Sequence, residues 1–89
     1  IFNRAGQLKC YPNPTTQAIF MDVELSGQGT ASLKIYDMNG QLQKVNSSPY
    51  VTGINKFEVL ISNLEPGAYI VQVNLSGSKR NYSGRFVKM

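Results

Sequence analysis

Three observations predict an all-β protein, an immunoglobulin-like antiparallel β-sandwich of about seven strands. Apolar and polar residues alternate in one short stretch after another, the period of a strand with one buried face. Gly, Pro and Asn separate those stretches at intervals of about 8 to 12 residues, the spacing of a sandwich rather than of β-α-β units. No stretch carries the 3.6-residue period of a helix.

In chain order, residues 1–6 read as a linker remnant and residues 7–89 as one domain. Leu8 and Cys10 alternate with Lys9 and Tyr11 in a short first strand. Pro12-Asn13-Pro14 ends it, because neither proline can donate a ladder hydrogen bond, and that suits a sheet edge. From Ala18 to Leu25, Ile19, Met21, Val23 and Leu25 share one face, with Asp22 and Glu24 on the other. Ala31, Leu33 and Ile35 mark a third strand, closed by Asp37-Met38-Asn39-Gly40. Asn-Gly predicts a type I′ hairpin there, with residues 42–45 returning alongside. Residues 46–55, holding Pro49 and Gly53, read as a loop. Phe57, Val59 and Ile61 make the fifth strand.

Pro66-Gly67 predicts a type II turn, with Pro at its second position and Gly taking positive φ at its third. The strongest strand signal follows at once: Tyr69, Val71, Val73 and Leu75 fall on one face, Ala68, Ile70, Gln72 and Asn74 on the other. Such a strand belongs at the centre of a sheet, with neighbours along both edges and a second layer over its apolar face. Ser76-Gly77-Ser78 turns the chain again, and Tyr82 to Val87 forms the last strand.

At 89 residues the chain buries only about 60 to 65% of its unfolded surface, which leaves little room for an enclosed active site. With no His and one Cys, zinc sites, Ser-His or Cys-His pairs and an internal disulfide lack their parts. Neither catalysis nor a cofactor is expected. The chain opens at Ile1 with no secretory apolar region and no long apolar run, and so reads as a piece of something larger with no transmembrane segment. Its net charge of +4 is weighted toward the end, where Lys79, Arg80, Arg85 and Lys88 have no acid among them. Such a tail suits phosphate or an anionic membrane, but more commonly Lys and Arg guard a strand edge; nucleic acid is not an expected partner.

The remaining chemistry-bearing residues read as structural. Cys10, on an alternating strand, fits a buried inert thiol. Tyr11, Tyr36, Tyr50, Tyr69 and Tyr82 raise the alternative of a sugar-stacking platform, although pleated sheets draw tyrosines anyway. Asp22, Glu24, Asp37, Glu58 and Glu65 lack the close alternating spacing of a calcium loop.

Four motifs taken together carry a resemblance. Tyr11-Pro12-Asn13-Pro14, then Ile35-Tyr36-Asp37-Met38-Asn39-Gly40-Gln41, then Leu64-Glu65-Pro66-Gly67-Ala68-Tyr69-Ile70-Val71, then Phe86-Val87-Lys88 closely resemble, in order, the C-terminal sorting domain of type IX secretion cargo. Each motif alone is ordinary turn chemistry; their joint order is specific. The resemblance implies a module at the end of larger extracellular proteins of Gram-negative bacteria, recognised in the periplasm and passed to the outer-membrane translocon. It further implies removal by a sortase-like protease that attaches the fused cargo at the cell surface, or release of the cargo to the medium. The family commonly ends on Lys, whereas Met89 follows Lys88 here. The residues expected to matter are Pro12, Asn13, Pro14, Asp37, Asn39, Gly40, Pro66, Gly67 and Tyr69 in the turns, and Arg85, Phe86, Val87, Lys88 and Met89 as a signal tail whose edge strand offers unpaired backbone groups. The alternatives are a carbohydrate-binding or adhesive module and a passive immunoglobulin-like spacer, both also sandwiches.

Overall fold

A computed structural model of the chain describes residues 8–77 and 80–89. The expected linker remnant and the Ser78 end of the last turn lie outside the described residues. Seven strands run in order: β1 (Cys10–Tyr11), β2 (Ala18–Leu25), β3 (Gly29–Asp37), β4 (Leu42–Tyr50), β5 (Gly53–Leu60), β6 (Gly67–Leu75) and β7 (Asn81–Lys88). They form two antiparallel sheets, three-stranded β1-β2-β5 and four-stranded β4-β3-β6-β7. The expected sandwich is what forms.

The alternation is the reason for the core. Ile19, Met21, Phe57 and Val59 from one sheet meet Leu33, Ile35, Val71 and Val73 from the other, all nearly or wholly buried. β6 lies between β3 and β7, as a strand with one wholly apolar face must when a second sheet covers that face. Its Tyr69 sits opposite Phe86 in register, and the two rings stack with centroids 5.5 Å apart.

Four local expectations are corrected. First, residues 46–55 are mostly strand: β4 runs to Tyr50 and β5 starts at Gly53. Pro49 is tolerated because β4 is an outermost strand. Its partner Thr30 turns its carbonyl the other way, to the Ser76 N–H, so Pro49 withholds no ladder bond. Second, β3 and β4 do form a hairpin, but not through a type I′ turn. The Gly40 N–H bonds the Asp37 carbonyl and the Asp37 N–H the Gln41 carbonyl, while Gly40 alone takes positive φ, +84°. That is a three-residue loop with glycine in the left-handed position.

Third, the hydrogen-bonded turn before β6 is earlier than Pro66-Gly67, from the Ile61 carbonyl to the Leu64 N–H. Gly67 has φ +153°, far from the value of about +80° in a type II turn. It already begins β6. Fourth, β1 is shorter than expected because Leu8 leaves β2 and bonds across to β7.

Candidate functional site

The four motifs converge on one end of the sandwich. β3 finishes with Asp37 opposite Tyr69, and β6 begins with Gly67 opposite Lys88 at the close of β7. In the other sheet β2 starts with Ala18 opposite Leu60, where β5 stops. The Ile61 N–H to the Gln17 carbonyl and a parallel bridge between Thr15 and Lys88 join these ends. Residues more than 70 positions apart therefore share one small region.

Each motif holds another in place. The Val87 N–H donates to Asn13 Oδ1 at 3.0 Å, and the Val87 carbonyl accepts the Thr15 N–H at 2.9 Å. The Met89 N–H donates to the Thr15 carbonyl at 2.9 Å, and the Thr15 hydroxyl turns to the Ala18 carbonyl. Further back, the Leu8 N–H reaches the Ser83 carbonyl at 2.8 Å. Residues 8–15 thus form a strap along the outer margin of β7. The close passage explains Gly84, where a Cβ would stand 2.8 Å from the Leu8 carbonyl oxygen and 3.2 Å from Cys10 Sγ. The expected unpaired edge of β7 is corrected in part: the Ser83 carbonyl, both backbone groups of Val87 and the Met89 N–H just beyond are bonded.

The tail divides by direction of its side chains. Phe86 points inward, 1% exposed. Lys88 Nζ turns back to the β5–β6 connection, donating to the Leu64 carbonyl at 2.7 Å and the Ser62 carbonyl at 3.3 Å. In that connection Leu64 is buried and the Tyr69 hydroxyl donates to the Glu65 carbonyl. Arg85, Val87 and Met89 are exposed. Of the expected turn residues, Pro12, Asn13 and Pro14 are also exposed, as are Pro66 and Gly67.

Asp37 organises its hairpin. Oδ1 accepts the N–H groups of Asn39 and Gln41, each at 2.9 Å, and Oδ2 accepts the Gln43 amide at 2.9 Å. The Gln41 N–H foremost, opposed by partial desolvation, holds its carboxyl below the ordinary value of 3.8.

Other candidates are scattered. Tyr50, Tyr69 and Tyr82 are buried, while Tyr11 and Tyr36 lie on different sheets, so the tyrosines make no common platform. Asp22, Glu24 and Glu58 face outward from the three-stranded sheet, Asp37 is in its hairpin and Glu65 in the β5–β6 connection. No cluster of three metal-ligating side chains forms among the described residues. Cys10 is buried among core residues, and burial pushes its thiol up to about 11. Thr15 escaped notice in the sequence; only its position directly after Pro14 pointed to it.

By class the chain is an immunoglobulin-like antiparallel sandwich whose first and last motifs are bonded to each other. Its family is specific: the secretion system C-terminal sorting domain matches residues 9–88, and the chain belongs to that family, the sorting signals of type IX secretion. No curated protein and no solved structure matches the chain significantly. Membership implies a fused cargo exported to the cell surface or the medium by the type IX machinery. No helix among the described residues is long and apolar enough to cross a membrane.

Proposed function

We propose that the domain works without catalysis as a folded address. It passes through the periplasm attached to its cargo and engages the outer-membrane translocon with its motif-bearing end. A sortase-like protease then removes it as the cargo is attached at the surface. The observation that carries this reading is the meeting of all four motifs at one end of the sandwich. β1 runs toward that end, antiparallel to β2 which leaves it.

Within the tail, Phe86 and Lys88 hold the end together, while Arg85, Val87 and Met89 are the side chains offered to the machinery. A reporter fused to the domain tests this. With Arg85→Glu and Val87→Ser combined, the reporter is expected to stay in the periplasm while the domain keeps its thermal midpoint. Normal export of the folded double variant would show that these side chains are not the signal. Deleting Phe86 to Met89 also blocks export, but with loss of the fold, since Phe86 is core.

A further inference from the structure

The two outer faces of the sandwich differ in charge. Three of the five acids, Asp22, Glu24 and Glu58, alternate outward on β2 and β5. The outward positions of β3, β4, β6 and β7, which alternate with the buried or half-buried inward ones, hold no acid and two cations, Lys34 and Arg85.

Register places those cations beside apolar side chains. One row across the sheet reads Leu42, Tyr36, Ile70, Arg85, and the next reads Val45, Lys34, Gln72, Ser83. Val87, opposite Ala68, extends the patch to the motif-bearing end. Leu42 and Val45 are each 50% exposed and Val87 43%. Farther from that end the same face turns polar and uncharged, with Ser32, Ser47, Asn74 and Asn81.

We propose that this face, which shares Arg85 and Val87 with the tail offered to the translocon, lies on an anionic membrane surface. Short aliphatic side chains beside cations, with no carboxylate on the face, match an interface that combines apolar depth with diffuse negative charge. The acids on the opposite face orient the molecule in the same sense, turning away from an anionic surface as the basic face turns toward it. A bilayer is favoured over an acidic protein because the patch is a sheet face spread over four strands.

Co-sedimentation of the 89-residue chain with vesicles tests it. Vesicles of phosphatidylcholine and phosphatidylglycerol in equal parts are expected to bind the chain at low salt, and pure phosphatidylcholine vesicles not to. Molar salt should release it, because exposed charges are then screened. Lys34→Gln with Arg85→Gln should weaken binding about 30-fold, each cation near such a surface contributing about fivefold. Leu42→Ser with Val87→Ser should weaken it too, while Lys56→Gln on the acidic face leaves it unchanged. Thermal midpoints confirm that the variants are folded, and the two pairs are independent should one of them not fold. No binding to the anionic vesicles, or binding unchanged in both folded pairs, overturns the proposal and leaves an acidic protein as the partner to seek. The export assay reads the sorting function separately, so either result stands without the other.

Discussion

Along the margin formed by β1 and β7, backbone groups of Leu8 and Thr15 and the Asn13 side chain bond the last strand and close the gap between the sheets. Along the margin formed by β4 and β5, side chains do the joining: Asn55 bonds the Val51 backbone from both sides at the shared corner, and the Lys44 ammonium crosses to the Leu60 carbonyl. The second margin is also guarded. β4 carries Pro49, a half-buried Lys44 and a register shift opposite Ile35 and Tyr36, all devices that discourage a foreign strand from pairing. Motif residues lie on the first margin and at the end it leads to. Much of the tail motif therefore serves to immobilise the tail, leaving the outward side chains to meet a partner.

The comparison can be broken most severely from inside the closed margin. Phe86→Ala removes a buried ring stacked on Tyr69 and should cost about 3 to 5 kcal/mol, a large part of the whole stability of a small domain. A denaturation midpoint within error of the parent chain would count against the core role of the tail. Next comes Gly84→Ala, whose new methyl meets the Leu8 carbonyl oxygen. Overpacking there should cost about 1 to 3 kcal/mol and speed amide exchange at Leu8 and Thr15 ahead of the β3 core, a pattern that hydrogen exchange would resolve.

Lys88→Met keeps the aliphatic stem but leaves two carbonyls without their charged donor. About 1 to 2 kcal/mol is expected, and an unaltered urea midpoint would mean that water replaces the ammonium at no cost. On the guarded margin, Lys44→Val should change monomer stability by only about 0.5 kcal/mol but promote concentration-dependent association, which sedimentation would detect. A variant that stays monomeric at high concentration would remove Lys44 from the guards.

The smallest effect is the pH dependence from Asp37. Its carboxyl is held below the ordinary 3.8, so its contribution is fully present above that value and is lost as pH falls through the lower folded-state value. The midpoint of Asp37→Asn should consequently vary less with pH in that acid window than that of the parent chain. Identical acid profiles would show that the hairpin draws nothing from the charge.

Much of the fold was legible because alternation is a local property. Ile19, Met21, Val23 and Leu25, or Tyr69, Val71, Val73 and Leu75, declare their buried face by spacing alone, and a second apolar sheet is then required to cover it. The position of the β3–β4 turn was legible for a similar reason, since Gly40 does take positive φ. Turn types were not. Asn39 keeps negative φ, and the reversal before β6 is set by the bond from Leu64 to Ile61. Pro49 looked like a loop residue because a proline disrupts an inner strand, and whether a strand is inner depends on pairing that β4 does not encode within itself.

The amino-acid sequence by itself determined the all-β class, the buried faces of β2, β3, β5 and β6, and the motifs of the family, because each follows from side-chain period or turn chemistry within a few neighbours. Only the tertiary structure decided that Leu8 to Thr15 straps β7, that Thr15 and Lys88 are bonded into the shared end, and that Arg85 and Val87 are left facing outward beside Ile70 and Ala68. Those outcomes depend on contacts between residues up to 75 positions apart. Such contacts arise only when the two sheets close on their common core and bring the chain's ends side by side.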